Sequence, residues 1–113
     1  MKDIFKNQEL LRYLFEKHGS PINLHHTTPF AQNYEAYKDV LKKHDVPNAI
    51  FFARKANKCL EFEAAAKELN CGLDTASYRE LSDCLDLGCD SRNLVVTAAV
   101  KNERLVRLAL QNN

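Results

Sequence analysis

Helical stripes of apolar residues, spaced three and four apart, alternate along the chain with short continuous apolar runs. The change from one pattern to the other marks the predicted elements. Apolar residues spaced three and four apart predict a helix over residues 3–17 and another from residue 28 to about residue 45. A short apolar run at residues 22–24 predicts a strand between them. Beyond residue 48, a unit of one apolar run and one helical stripe occurs three times. The runs at 49–53, 71–74 and 93–97 predict strands, and the stripes at 59–69, 77–87 and 103–110 predict helices.

The three later runs are apolar throughout rather than on one side only. Strands of this kind, separated by helices, indicate a parallel sheet that is buried on both faces. The sequence therefore predicts an α/β fold of about three βα units, preceded by a helix and a short strand. The carboxyl ends of parallel strands meet at one edge of a sheet, where ligands bind in such folds. The polar residues expected at this edge are Arg54, Lys55, Asn57, Asp74, Ser77, Thr97 and Lys101.

Composition and charge narrow the class of protein. A length of 113 residues, with 45% hydrophobic and 27% charged residues, is typical of one small globular domain. A formal net charge of +1 argues against nucleic acid as a partner, because nucleic-acid-binding domains carry a clear basic excess. No apolar run approaches the roughly 20 residues of a membrane span. Residues 1–6 are not followed by the apolar segment of a secretory signal, so we expect a cytoplasmic protein.

The cysteines and histidines do not form a recognisable metal pattern. The cysteines are Cys59, Cys71, Cys84 and Cys89. Their spacings of 12, 13 and 5 contain no Cys-x-x-Cys pair, and in the cytoplasm they are expected to be reduced thiols. His25 and His26 are candidate ligands, but adjacent histidines usually point in different directions and no third ligand presents itself. We therefore predict no metal site.

Lys55 is a candidate nucleophile because it follows a strand that is almost entirely apolar. Burial at that position would desolvate the amine in part, which favours its neutral form and its reaction with carbonyls. A solvated lysine at a strand end is the alternative. Arg54 would either favour the neutral amine further or point to the other side of the strand.

Four further polar residues have both a structural and a functional interpretation. Ser77 and Glu80 have the spacing of a capping box, which explains both without any chemistry. Asp74 would orient a substrate or cofactor group, or accept hydrogen bonds from nearby backbone. Lys101 would contact a phosphate or carboxylate, or lie on the surface near the last helix.

Thr28 and Pro29 suit the start of the second helix, as cap and first-turn residue.

Residues 51–57, Phe-Phe-Ala-Arg-Lys-Ala-Asn, resemble the signature of the pyridoxal-phosphate enzymes of the alanine-racemase-like barrel class, fold type III. More narrowly, they resemble the ornithine/diaminopimelate/arginine decarboxylases, whose segment reads aromatic-x-x-Lys-Ala/Cys-Asn. The resemblance continues through 72–81, Gly-Leu-Asp-Thr-Ala-Ser-Tyr-Arg-Glu-Leu, and into 92–96 and Lys101. Upstream, His-Gly-Ser-Pro at 18–21 resembles the Tyr-Gly-Thr-Pro that begins these enzymes. The match covers about residues 18–113.

This resemblance implies a fold and a set of site residues. The fold would be a partial (β/α)8 barrel, with residues 1–24 as an N-terminal helix and strand and residues 25–113 as the first part of the pyridoxal-phosphate-binding barrel. Lys55 would be catalytic, forming the Schiff base with pyridoxal phosphate. The cofactor-binding residues carried over from the family are Lys55, Asp74, Glu80, Asn57 and Ser77, of which Asn57 and Ser77 support the lysine loop.

The resemblance also implies an activity. The chain is expected to be the N-terminal portion of a pyridoxal-phosphate-dependent amino-acid decarboxylase, a homodimer that acts on a basic or dicarboxylic diamino acid. An eight-stranded barrel takes about 250 residues, so the family's later strands and its Gly-rich phosphate loop would lie beyond residue 113, and the isolated portion is expected to be inactive. A racemase on the same barrel, or a non-catalytic fragment that regulates a full-length homologue, are the alternatives.

Overall fold

The computed structural model describes residues 4–112. Within that range it contains five α-helices and three β-strands, in an order that confirms the predicted α/β fold. Short 3-10 turns lie at Ile4–Lys6, Arg54–Ala56 and Ser91–Asn93. The helices and strands are α1 (Gln8–His18), α2 (Thr28–Lys43), β1 (Phe51–Ala53), α3 (Leu60–Glu68), β2 (Gly72–Thr75), α4 (Tyr78–Asp86), β3 (Leu94–Val96) and α5 (Glu103–Gln111).

The three strands form one parallel sheet in the order β1-β2-β3, as the three βα units predict. Phe51 pairs with Gly72, and Leu73 pairs with Leu94, so the strands are in step along the sheet. The Phe51 ring lies directly against the backbone of Gly72, where a Cβ atom would collide with it. This close approach explains why a glycine begins the central strand.

Helices cover one face of this sheet in the described part of the chain. Leu73 packs with residues of α2, α3 and α4 in one apolar cluster, and Leu94 joins that cluster to a second one under α5. Residues that point the other way along β1, such as Phe51 at 38% exposed, remain open. The prediction of a sheet buried on both faces is therefore wrong for residues 4–112, because three strands build only part of a barrel wall and a barrel closes its inner face with about eight.

The region before α2 differs from the sequence prediction in two places. Helix α1 begins at Gln8 rather than residue 3, because the Asn7 side chain accepts a hydrogen bond from the Leu10 amide at 3.0 Å and so caps the helix there. Residues 1–3 lie outside the described residues. Ile22 to Leu24 do not form the predicted strand, since an extended run becomes a strand only when a neighbour pairs with it.

Helix α2 begins as predicted, but its cap is not the predicted one. Thr28 is the first helical residue, and the cap position falls on Thr27, whose side chain makes no capping hydrogen bond. Pro29 lies in the first turn, where its missing N–H leaves no bond unmade. None of the helices between residues 4 and 112 has the length and hydropathy that crossing a bilayer requires.

Candidate functional site

The first strand ends in a tight turn that exposes Lys55. Strand β1 stops at Ala53, and Arg54 to Ala56 form a single 3-10 turn in which Lys55 is exposed and Arg54 is buried. Of the two alternatives that the sequence left open for Lys55, partial burial and a solvated lysine, the solvated one describes this chain. The turn places Lys55 beyond the carboxyl end of the strand. Arg54 points to the helix-covered side of the sheet, which is the second of the two alternatives given for it from the sequence.

Asn57 holds this turn from its outer side. Its backbone N–H donates to the Arg54 carbonyl at 3.1 Å, and its Oδ1 accepts from the Cys59 amide at 3.0 Å. The side-chain amide nitrogen of Asn57 therefore faces His25 and donates to His25 Nδ1 at 3.2 Å, which leaves the proton of a neutral imidazole on Nε2. Asn57 thus has the geometry of a support for the Lys55 turn.

His25 is used in this contact and in an edge-on contact with the Phe62 ring, at 6.0 Å between centroids. His26, its neighbour, is exposed. Among residues 4–112 there is no group of three or more His, Cys, Asp or Glu side chains that could hold a metal ion.

Asp74 lies at the end of the central strand and pairs with the next strand. It is half-buried, and its Oδ1 accepts a hydrogen bond from Thr97 Oγ1 at 2.6 Å. Asp74 pairs with Ala53, the last residue of β1, and Lys55 follows Ala53 by two residues. The lysine amine and this carboxylate therefore occupy the same edge of the sheet. Lys101, farther along, donates to the Ala98 carbonyl at 2.8 Å and is exposed.

Ser77 and Glu80 cap helix α4, with one change from the predicted pattern. Ser77 Oγ accepts from the Glu80 amide at 3.2 Å, as the capping box predicts. Glu80 Oε2, however, accepts from the Ala76 amide at 2.8 Å rather than from Ser77, and Glu80 Oε1 pairs with Lys58 Nζ at 3.1 Å. Burial alone would raise the pKa of Glu80, but the Ala76 bond and the Lys58 charge outweigh it and lower the pKa below 4.5.

Replacing Glu80 with glutamine is expected to make stability less dependent on acid pH. A carboxyl whose pKa is lower in the folded state stabilises the fold above its unfolded pKa and loses that contribution as the pH falls through its folded pKa. The wild type should exceed Glu80→Gln by about 1 kcal/mol in free energy of unfolding at neutral pH, and the difference should vanish well below pH 4.5. Urea unfolding across this range measures it, with the exposed Glu68→Gln as control. A difference that stays constant with pH would contradict the assignment.

A buried group of charges lies directly beneath this edge, and the sequence did not indicate it. Arg54 and Glu63 form a close ion pair at 1% and 0% side-chain exposure. Cys84 Sγ donates to Glu63 Oε2 at 3.6 Å. Burial raises the pKa of Glu63, an effect that Arg54 opposes, and burial together with the Glu63 charge raises the pKa of Cys84 to about 12. Glu63 does not interrupt the apolar pattern of its helix, so the sequence alone gives no sign that it is buried. Its burial is apparent only from its position facing Arg54.

Comparison with known proteins assigns the chain to a family. Residues 29–113 match the family described as pyridoxal-dependent decarboxylase, pyridoxal binding domain, and the chain belongs to that family. The resemblance in the sequence is thereby confirmed, and the cofactor of the domain is pyridoxal phosphate.

One curated relative is a protein of Sinorhizobium fredii (strain NBRC 101917 / NGR234) described as uncharacterized protein y4yA. It is 39% identical to this chain over 85 residues, which is 75% of the chain and 19% of the relative. The chain thus spans about a fifth of the length of that relative. No solved structure matches the chain.

The residues present fit this cofactor. Pyridoxal phosphate carries an aldehyde that bonds to a primary amine, and the exposed Lys55 places such an amine at the carboxyl edge of the sheet. Asp74 and Thr97 offer a carboxylate and a hydroxyl at the adjoining strand ends. This donor set suits a polar ring with an aldehyde, and it is the part of the site that the described residues contain.

Proposed function

We propose that this protein is a pyridoxal-phosphate-dependent amino-acid decarboxylase in which Lys55 forms the Schiff base with the cofactor. The observation that carries the proposal is the exposed amine of Lys55 on the turn at the carboxyl end of β1, in a chain that belongs to the pyridoxal-dependent decarboxylases. When bound, the cofactor supplies an electron sink for the carbanion left by loss of carbon dioxide.

The other predicted site residues have distinct tasks in this proposal. Asn57 holds the lysine turn through its bonds to Arg54 and Cys59. Asp74 presents a carboxylate toward the cofactor, with its orientation set by the Thr97 hydroxyl. Glu80 places a negative charge at the edge of the site.

Ser77 starts helix α4 so that Glu80 is held at its position. Glu80 is ionised at neutral pH because its pKa is lowered, and its charge holds Lys58 and the Ala76 amide at the edge of the site.

The whole protein is proposed to act as a homodimer on a basic or dicarboxylic diamino acid in the cytoplasm. One observation supports part of this statement. The four cysteines are free thiols, a form that persists in reducing compartments.

The experiment that tests the proposal is reductive trapping of pyridoxal phosphate on the full-length protein. Borohydride treatment followed by peptide mapping should give one adduct, at Lys55. Carbon dioxide release from diamino acids should then separate a decarboxylase from a racemase, which would invert the substrate without releasing gas. Labelling scattered over exposed lysines such as Lys58 and Lys101 would contradict the assignment of Lys55, and a trapped protein that acts on no amino acid would favour a regulatory role.

A further inference from the structure

Arg54 and Lys55 are consecutive, yet they have opposite environments. Lys55 is exposed on the open edge of the sheet, whereas Arg54 is 1% exposed beneath it. An arginine is among the residues least often found fully buried, and then almost always with a partner. The burial of Arg54 next to the cofactor lysine therefore needs a specific explanation.

The guanidinium of Arg54 connects the lysine turn to two helices, α3 and α4. It forms the close ion pair with Glu63 of α3, and its Nη1 donates to the Glu80 carbonyl in the first turn of α4 at 3.1 Å. The same Nη1 lies 3.6 Å from an Asp83 carboxylate oxygen. A planar guanidinium with five donors makes such a set of bonds in fixed directions, which a lysine ammonium does not.

The same side chain also closes the turn from below. Arg54 Nη2 donates to the Lys58 carbonyl at 3.4 Å, while the Arg54 carbonyl accepts from the Asn57 amide at 3.1 Å. The backbone from residue 54 to residue 58 is thus fixed at both of its ends by Arg54. Lys55 is carried at the exposed crest of this loop.

Stability alone is a weak reason for this arrangement. Removing an arginine and a glutamate from water is costly, and apolar residues of similar size often stabilise a fold as well as a buried ion pair does or better. The aromatic rings of Phe52 and Phe62 already pack together close to this point. What the ion pair adds, and an apolar pair lacks, is a fixed direction for the strand end.

We propose that Arg54, held by Glu63, is a positioning residue that fixes the turn of Lys55 against α3 and α4 so that the lysine amine meets the cofactor aldehyde in one orientation. The inference rests on the proposed role of Lys55. Misplacing a reacting group by about 1 Å can lower a rate by about 100-fold, so a loosened turn should have a measurable effect on the capture of pyridoxal phosphate.

The test measures the rate at which pyridoxal phosphate is trapped at Lys55 by borohydride, together with the thermal unfolding midpoint of each variant. The main variant is the double change Arg54→Met with Glu63→Met, which leaves no unpaired charge in the interior. We expect it to unfold near the wild-type temperature while trapping at Lys55 falls at least about tenfold. Arg54→Lys keeps the charge next to Glu63 without the planar fork, and should trap at an intermediate rate.

The control is Arg79→Met, since Arg79 is 87% exposed and pairs with Asp83 at the outer side of the same charge group. It should trap at the wild-type rate. Wild-type trapping in the double variant would overturn the inference, because an apolar anchor would then serve equally well. If the double variant fails to fold, a wild-type rate in Arg54→Lys overturns it and a slower rate supports it. A wild-type protein that is not labelled at Lys55 would instead refute the proposed function itself.

Discussion

In the full-length protein, replacement of Lys55 by alanine is expected to abolish covalent capture of pyridoxal phosphate and to lower decarboxylation by about 1,000-fold, a middle value for loss of a side chain that acts on the reacting atoms. The amine is the only part of the lysine that bonds to an aldehyde, and alanine offers nothing in its place. Because Lys55 is exposed, its removal leaves no cavity and no unpaired charge. The fold should therefore survive, and the loss should be chemical.

Two further variants make this result specific. Lys55→Arg keeps the positive charge but provides a guanidinium that does not form the linkage, so it should fail in trapping as completely as Lys55→Ala. Lys42→Ala removes an exposed lysine in the last turn of α2, far along the chain from the site, and should be trapped at Lys55 like the wild type. Borohydride reduction with peptide mapping gives both measurements. An intact cofactor adduct in Lys55→Ala would eliminate Lys55 as the attachment point.

Replacement of Glu63 by glutamine should be the most destabilising conservative change in the described part of the chain. The glutamine has the same shape but no charge, so the Arg54 guanidinium remains buried without its counter-ion. Breaking a buried ion pair by removing one partner costs about 3 to 5 kcal/mol. The hydrogen bond that Cys84 donates to Glu63 weakens as well, because the acceptor loses its charge.

The free energy of unfolding in urea measures this loss. Glu61→Gln is the matched control, since Glu61 lies in the first turn of the same helix but is exposed, and surface changes of this kind stay within about 0.5 kcal/mol. A loss below about 1 kcal/mol in Glu63→Gln would mean that Glu63 is already protonated in the folded protein. Its raised pKa would then come from burial without effective compensation by Arg54.

The elements of the fold were largely predictable because their signals are local. Continuous apolar runs placed all three strands, and a 3.6-residue apolar period placed the helices that follow them, within a few residues of their observed bounds. The two failures have different causes, one tertiary and one local. Ile22 to Leu24 have the side chains of a strand but no neighbouring strand to pair with, and helix α1 begins at Gln8 because the Asn7 side chain caps it.

The site was predictable in its location but not in its contacts. Apolar strands alternating with helices require a parallel sheet, and the carboxyl ends of parallel strands meet at one edge, so Lys55 and Asp74 were expected there. The hydrogen bond between Asp74 and Thr97 depends on the strand register, which apolar runs specify poorly because neither side of the strand is marked as polar. The sequence left open whether Lys55 is partly buried or solvated, because an apolar strand does not reveal the turn that follows it.

By itself, the sequence determined the class of fold and the family motifs, and it singled out Lys55 as the proposed amine for the cofactor, since each depends on residue type and spacing within a short segment. Only the tertiary structure decided that Arg54 is buried and Lys55 is exposed, and that the partner of Arg54 is Glu63 of the next helix. The physical reason is that the charge state and direction of a side chain depend on what packs around it. Those neighbours come from residues that are distant in sequence and carry no mark of the contact.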